Sequence, residues 1–212
     1  MYKEIIRELE SLSEPAFAKW LRPFLSIDEN SDEVLLGVRT PILRKLAKKY
    51  KNLSEKELQS LLSSNIHESR ALAIFVMLIQ TKKEPQRICS LYLKNIDRIN
   101  NWDLVDYSAP HIVAPNVDTS VLRELACSDY LWANRVAMVS TIFFIKRGDF
   151  SLALEFAERF MTHPHHLMHK AAGWMLREVG KKDVQTLLKF LERCDKKMPA
   201  VMRSYAKEKL CK

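Results

Sequence analysis

Apolar residues recur at every third or fourth position along most of the chain, which is the spacing of one face of an α-helix. No segment shows the alternation of apolar and polar residues that a half-buried β-strand requires. Only 4 Gly and 8 Pro occur among the 212 residues, so few positions would break a helix. The pattern therefore predicts an all-α protein. The expected helices lie near residues 2–11, 14–24, 40–51, 54–63, 66–81, 84–95, 101–113, 117–127, 130–146, 149–161, 165–179, 182–193 and 199–210.

Residues that favour helix ends flank several of these segments. Ser54 is followed three positions later by Glu57, which is the spacing of a capping box. Thr40 stands before Pro41 and is therefore expected to cap the N-terminus of its helix. Gly148 and Gly180 follow apolar-periodic segments, at positions where glycine commonly ends a helix in the left-handed conformation.

Three similar stretches recur within the helical pattern. Each begins with a base and continues with small or apolar residues, at Arg70, Arg135 and Lys170. The steps are 65 and 35 residues, and Asp103 falls about midway in the longer one. A helical-pair repeat of roughly 33–35 residues is typical of α-solenoids, which curve and present a concave inner surface. We therefore expect one solenoid domain over residues 1–212, with these positions on a single wall.

The charged residues are segregated along the chain, which carries a net charge of +8. Residues 1–33 hold eight acids and four bases. Residues 39–51 contain six bases and no acid, and residues 181–212 contain ten bases and four acids. Clustered bases create a field that scattered bases do not, so this distribution indicates a polyanionic partner. A second interpretation, in which the charge serves only solubility, stays open on these grounds.

The cellular compartment is predicted from what the sequence lacks. No apolar run reaches the roughly 18 residues of a membrane span, and the N-terminus has no signal-peptide pattern. The four cysteines are far apart and show neither a CxxC motif nor zinc-site spacing. We expect free thiols in a reducing cytoplasm and no membrane association. The cysteines are Cys89, Cys127, Cys194 and Cys211.

Trp102 and Asp106 form the strongest candidate for chemistry. Their spacing of four places an indole and a carboxylate on the same face of one helix. Such a pair suits a reaction that passes through a positively charged centre, because the ring and the carboxylate both attract positive charge. Asp103 lies in the first turn of the same helix, where the helix dipole alone accounts for an acid.

Four segments together resemble the AlkD-type alkylpurine DNA glycosylases, a family of HEAT-like helical repeats. They occur in the family's order and span most of the chain. The segments are Leu36–Arg44 (LGVRTPILR), Trp102–Asp106 (WDLVD), Leu131–Arg135 (LWANR) and Ala172–Glu178 (AGWMLRE).

The resemblance implies an enzyme that removes cationic N3- and N7-alkylated purines from duplex DNA, without a metal or cofactor and as a monomer. Asp106 would be the catalytic carboxylate, and Trp102 and Trp174 the aromatic faces of the cleft. Arg135 would hold the DNA backbone at the lesion. Further phosphate contacts are expected from Thr40, Arg44, Lys45, Lys170 and Arg177.

One segment departs from the family pattern. Where the family often has an aromatic residue with basic neighbours, this chain has the acidic stretch Asp28–Glu33, which we expect to repel a DNA backbone. Two rival functions stay open. One is a non-catalytic HEAT-like protein that binds damaged or unusual DNA, and the other is a protein-interaction solenoid.

Structural roles are the alternatives for several of these side chains. Trp174 sits after the small residues Ala171–Gly173, so an indole on a tight wall and simple helix packing explain it equally well. We assign Trp20 and Trp132 to core packing. Four histidines between residues 163 and 169 lack a nearby carboxylate or thiolate that would complete a metal site, so a loop facing phosphate is the preferred interpretation.

Overall fold

A computed structural model describes residues 1–210, and it confirms the all-α class. No β-strand forms within these residues, and a single parallel bridge joins Val34 to Ile66. None of the described helices is long and apolar enough to cross a lipid bilayer. Of the four cysteines expected to be free thiols, Cys89, Cys127 and Cys194 are free, whereas Cys211 lies outside the described residues.

Residues Met1–Ser108 form the first of two compact units. Its core is built from leucines and other aliphatic side chains on the helices, with Leu9, Leu58 and Leu72 fully buried. The helices are α1 (Tyr2–Ser11), α2 (Pro15–Phe24), α3 (Thr40–Lys49), α4 (Glu55–Leu62), α5 (His67–Gln80), α6 (Pro85–Lys94) and the start of α7 (Trp102–Ile112). A 3₁₀ turn covers Ile96–Arg98.

Residues Ala109–Lys212 form the second compact unit, described as far as residue 210. The long helix α12 is central to it and packs against α9, α11, α13 and α14. The helices after α7 are α8 (Thr119–Ala126), α9 (Leu131–Ser140), α10 (Ile142–Ile145), α11 (Ser151–Arg159), α12 (His166–Lys182), α13 (Val184–Cys194) and α14 (Ala200–Lys207). One repeat domain over residues 1–212 stays a prediction.

The expected helix ends are partly confirmed. Ser54 and Glu57 form the predicted capping box at the start of α4. Gly148 adopts a φ of +85° in the turn after α10, as expected of a glycine at a helix end. Thr40 was wrongly expected as an N-cap, because it is already helical and Arg39 occupies the cap. Gly180 was wrongly expected to end a helix, because α12 continues through it to Lys182.

The helix starts correct the register of the repeat. The helices α5, α7, α9 and α12 begin at His67, Trp102, Leu131 and His166, so successive starts are 35, 29 and 35 residues apart. Counted from these starts, the fifth helical residues are Ala71, Asp106, Arg135 and Lys170. Arg70 therefore precedes the equivalent position by one residue, and Asp106 takes the place that Arg135 and Lys170 hold in their helices.

Candidate active site

The helix α7 carries the predicted pair of Trp102 and Asp106. Asn101 precedes the helix, and its Oδ1 accepts a hydrogen bond from the backbone N–H of Trp102 at 2.6 Å. The Asn101 amide also donates to the carbonyl of Leu25 at 3.0 Å, which ties the helix start to the end of α2. Trp102 and Asp106 are both half-buried, so each keeps surface for contact with a ligand.

The carboxylate of Asp106 lies close to the apolar interior of the first unit. Burial raises the pKa of Tyr92 above its usual range, and the negative charge of Asp106 adds to that rise. The Tyr92 hydroxyl shares a hydrogen bond of 2.8 Å with Ser108, which also lies on α7. An interior with few mobile dipoles screens charge weakly, so a carboxylate here acts more strongly on a positive centre than it would in water.

An aromatic strip on α2 leads to Trp102. Phe17, Trp20 and Phe24 stack in sequence with centroid distances of 5.6 and 5.8 Å, and Phe24 meets the Trp102 ring edge-on at 5.4 Å. Trp20 is 60% exposed, so its assignment to core packing is wrong. Its spacing from Phe17 and Phe24 puts the three rings on one helix face, beside the face that buries Ala18. Trp132, the other tryptophan assigned to packing, is half-buried.

Among the predicted phosphate contacts of the first unit, Arg44 contacts a side chain of α7. Its guanidinium lies 4.7 Å from the Phe75 ring centroid and 5.5 Å from that of Tyr107, the residue after Asp106. Cation–π contact of this kind orients an arginine while leaving its donors available to an anion. Arg44 and the neighbouring Lys45 are exposed on α3. Thr40, also predicted as a contact, is half-buried at the start of the same helix.

A buried charged network holds the first turn of α7. His67 Nε2 lies 2.8 Å from Asp103 Oδ2, and His67 Nδ1 lies 2.8 Å from Glu33 Oε1. The Arg70 guanidinium forms a second ion pair with Glu33 at 2.5 Å and donates to the carbonyl of Ser64 at 2.7 Å. His67 and Arg70 are both buried, at 3% and 4% exposed. The repeat predicts Arg70 on one wall with the 102–106 segment, Arg135 and Lys170, and Arg70 is as deeply buried as Arg135.

The two carboxylates determine the charge of His67. Burial alone would lower the pKa of this imidazole, but the charge of Asp103 and the hydrogen bonds to Asp103 and Glu33 raise the pKa to about 9. Burial opposes the ionisation of Glu33, yet the hydrogen bond to His67 and the charge of Arg70 lower its pKa. Near neutral pH, His67 is therefore an imidazolium between two carboxylates.

The same contacts fold the acidic stretch Asp28–Glu33 back on the protein. The Glu33 carboxylate faces His67 and Arg70, and the Glu33 carbonyl accepts from Arg22 at 2.7 Å. Asp28 and Asp32 remain exposed at the surface. The charge of Glu33 is therefore neutralised internally, and repulsion of a DNA backbone is expected only from the exposed acids.

In the second unit, Arg135 is a buried residue of α9. It is 5% exposed, and its Nη1 donates to the carbonyl of Leu167 in the first turn of α12 at 2.8 Å. Lys170, the other base at this repeat position, is half-buried on α12. The arginine thus joins α9 to the first turn of α12, where its charge adds to the positive end of the α12 dipole.

Trp174 and Arg177 lie one turn apart on α12 and are both held by carboxylates. The indole Nε1 of Trp174 donates to Glu178 Oε1 at 3.2 Å. Arg177 pairs with Glu208 of the segment after α14 and lies 3.4 Å from Glu178. Trp174 is half-buried, so part of its ring is accessible, as an aromatic wall requires. A phosphate contact by Arg177 would have to compete with Glu208.

The histidines before α12 serve as local caps. His165 Nδ1 accepts from the N–H of Leu167 at 3.2 Å, and His163 Nδ1 accepts from the N–H of His165 at 3.0 Å. Burial lowers the pKa of both histidines, and the charges of neighbouring groups such as Arg135 lower that of His165 further. Both rings are therefore neutral near pH 7. Within residues 1–210, no group of three or more His, Cys, Asp or Glu side chains is placed to hold a metal.

The family is shown by comparison with known sequences. A family profile described as DNA alkylation repair enzyme matches residues 5–210, which is nearly the whole chain. The chain belongs to this DNA alkylation repair family. No curated protein sequence matches it.

Two solved structures share the fold of this chain. A predicted DNA alkylation repair enzyme from Enterococcus faecalis is similar with a TM-score of 0.68 and 15% identity, covering 94% of this chain and 97% of that one. AlkD2 from Streptococcus mutans is similar with a TM-score of 0.61 and 16% identity, covering 92% and 98%. At these identities the likeness concerns the fold alone.

Sequence reasoning missed two features of this member of the alkylation repair family. The first is the network around His67, whose partners lie 34 and 36 residues away along the chain and carry no local motif. The second is the exposed aromatic strip on α2. The spacing of Phe17, Trp20 and Phe24 could have revealed it, because three aromatic residues at helical spacing share one face.

Proposed function

We propose that this member of the alkylation repair family is a DNA glycosylase that hydrolyses the N-glycosidic bond of cationic N3- and N7-alkylated purines in duplex DNA. The observation that carries the proposal is the arrangement on α7, where a partly accessible indole and a partly buried carboxylate lie one turn apart. Family membership supports the substrate class, because alkylation of a purine ring nitrogen produces a cationic base.

The proposed chemistry needs only one carboxylate. An alkylated purine already carries positive charge, so the base leaves without the general acid that sugar hydrolysis requires. Asp106 would stabilise the oxocarbenium-like sugar through its negative charge and would accept a proton from the attacking water. Trp102 would attract the cationic base and sugar, at about 0.5–2 kcal/mol for such a contact. The reaction involves no metal and no cofactor.

The other site residues keep the roles that their motif positions imply. Trp174 is proposed as the second aromatic face, and Arg135 as the contact that holds the backbone at the lesion. Thr40, Arg44, Lys45, Lys170 and Arg177 are proposed phosphate contacts, with Arg44 the best prepared because its guanidinium is exposed and oriented by two rings. We propose that the protein acts as a monomer on chromosomal DNA in the cytoplasm.

A second candidate function is the binding of damaged or unusual DNA without catalysis. The contact of Trp174 favours it over excision, because the indole proposed as the second face of the cleft already bonds to Glu178, and Arg177 likewise pairs with Glu178 and Glu208. A ligand that used these side chains would have to displace the carboxylates. A catalytic role for Asp106 is independent of α12, so the two functions are separable by experiment.

Release of free purines from methylated duplex DNA tests the proposal directly. Duplex DNA treated with a methylating agent is incubated with the protein, and free 7-methylguanine and 3-methyladenine are measured by chromatography. We expect both bases to be released from methylated DNA, and no base from untreated DNA. Binding to methylated DNA without release of either base would instead support the non-catalytic function.

A further inference from the structure

His67 lies where three separate elements of the first unit meet. It is the first residue of α5, and its imidazole contacts Glu33 from the segment before α3 and Asp103 from α7. Both contacts are 2.8 Å long, and the side chain is 3% exposed. Backbone bonds reinforce one side of this junction, because Val34 donates to the carbonyl of Asn65 and accepts from the N–H of His67.

Both contacts require the charged form of the ring. A neutral imidazole carries one N–H and can donate to only one carboxylate, whereas an imidazolium donates from both nitrogens. Glu33 has a second cationic partner in Arg70 at 2.5 Å, so its charge is compensated without His67. Asp103 pairs with His67 and also accepts a hydrogen bond from the backbone N–H of Leu104 at 2.8 Å. The imidazolium therefore matters most to Asp103.

Asp103 links this network to the residues of the proposed reaction. It is the second residue of α7, next to Trp102 and less than one turn before Asp106. Asn101 fixes the backbone at the helix start and ties it to the end of α2, and the bond from Asp103 to His67 ties the same turn to α5. A shift or rotation of this first turn would move the indole and the carboxylate together. Misplacement of a catalytic group by about 1 Å can slow a reaction by about 10²-fold.

We propose that His67 is a positioning residue for α7, which as an imidazolium between Glu33 and Asp103 holds Trp102 and Asp106 in the orientation that base excision needs. This inference rests on the proposed function for its effect on the reaction. The charged groups that face the ring are Glu33, Asp103 and, through Glu33, Arg70.

The kinetic test compares His67→Gln with the wild type. We expect single-turnover release of 7-methylguanine to slow by about 10²-fold, while the Kd for DNA changes less than about twofold. Gln80→Leu is the matched control, since Gln80 lies at the other end of α5 and donates to the carbonyls of Lys51 and Leu53. This control should lose stability and keep its rate of release.

A double variant separates positioning from stability. His67→Gln leaves the half-buried carboxylate of Asp103 without its cation, so the protein loses stability as well as alignment. His67→Gln combined with Asp103→Asn removes that charge and should recover much of the lost stability. We expect release to stay slow in the double variant, because the tie to α7 is still missing. Recovery of the rate together with stability would overturn the proposal.

A third measurement does not depend on activity. Nitrogen-15 NMR of the histidine rings should show both nitrogens of His67 protonated at pH 7. Amide hydrogen exchange should be faster in His67→Gln at Val105, whose N–H donates to Asn101, and unchanged at the far end of α5. A neutral ring, or unchanged exchange at Val105, contradicts the proposal even when the wild type releases purines. If the wild type releases no purines, the proposed function fails. The protonation of the His67 ring and the exchange rate at Val105 still decide whether His67 positions α7.

Discussion

At the scale of single residues, the two carboxylates of α7 have different neighbours. Asp103 is bonded to His67, so its negative charge is already matched by a cation. Asp106 is half-buried near Tyr92, whose pKa its charge helps to raise. The sequence suggested that the helix dipole alone explained Asp103. The structure gives it a side-chain partner, so Asp103→Asn is unsuitable as a neutral control for a catalytic test.

Replacement of Asp106 by Asn tests its proposed catalytic role. The variant keeps the size of the side chain but loses the negative charge that would stabilise the sugar cation. We expect single-turnover release of 7-methylguanine to fall by roughly 10²–10³, by analogy with the loss of one preorganised electrostatic group. The affinity for DNA should change little. The exposed carboxylate of Asp118 provides the control, and Asp118→Asn should keep full activity. Full activity of Asp106→Asn would end the assignment.

The pH dependence of stability tests the charge of His67. Its pKa is about 9 in the folded protein and about 6.5 when unfolded, so the folded state binds the proton more tightly. The resulting stability is fully present below pH 6.5 and is lost as the pH rises through 9. We expect urea unfolding of the wild type to show this loss, by at most about 1.4 kcal/mol per pH unit. In His67→Gln the dependence between pH 6.5 and 9 should be weaker, and equal slopes in the two proteins would refute the charged state.

At the scale of helices, the packing of α12 explains a glycine that the sequence left open. A Cβ added at Gly173 would lie 2.5 Å from the carbonyl oxygen of Met202 and 2.7 Å from Cβ of Tyr205. Both contacts belong to α14, so the glycine permits these two helices to approach closely. Close packing of α12 against α14 therefore explains Gly173. The exposure of the Trp174 ring is a separate matter, which depends on where Trp174 itself lies on α12.

Substitution of the two glycines of α12 separates packing from helix propensity. Alanine improves helix propensity by about 1 kcal/mol at either position. At Gly173 the new Cβ meets backbone, so we expect Gly173→Ala to destabilise the protein by about 1–3 kcal/mol. At Gly180 the nearest atom is Cδ2 of Leu187, which lies at the flexible end of a side chain. Gly180→Ala should therefore lower the free energy of unfolding by less than Gly173→Ala does, or should raise it. Denaturant unfolding measures both, and equal effects would contradict the packing argument.

Helix positions were largely predictable from the sequence, because apolar periodicity is a local signal. The segments expected near 66–81 and 101–113 correspond to α5 (His67–Gln80) and α7 (Trp102–Ile112). The expected helix over 130–146 is interrupted at Thr141, where no Pro or Gly marks the break. The pair of Trp102 and Asp106 was found for the same local reason. The network of His67 depends on contacts between distant segments, which spacing along the chain does not report.

At the scale of the whole chain, part of the segregated charge is neutralised within the protein. The base-rich segment 39–51 contains no acid of its own, but acids from earlier in the chain pair with two of its bases, Glu14 with Arg39 at 2.9 Å and Glu8 with Lys49 at 2.7 Å. Both pairs are partly exposed, so solvent and salt screen them and each contributes little to stability. Arg44 and Lys45 lie between them in the sequence and are exposed. They are therefore among the bases of this segment that we expect to meet phosphate.

The salt dependence of DNA binding tests this assignment across the chain. Each phosphate contact that is lost should reduce the slope of log affinity against log salt by about 0.9. We expect Arg44→Gln combined with Lys45→Gln to reduce it by about two contacts, and Arg135→Ala by about one. Arg123→Gln is the control, because Arg123 is paired with Glu155 at 3.0 Å, and the salt slope of this variant should equal that of the wild type.

Arg135→Ala should also slow base release, since the proposed role of Arg135 is to hold the strand at the lesion. An unchanged slope for Arg135→Ala would mean that this arginine has a structural role, to which its bond to Leu167 contributes.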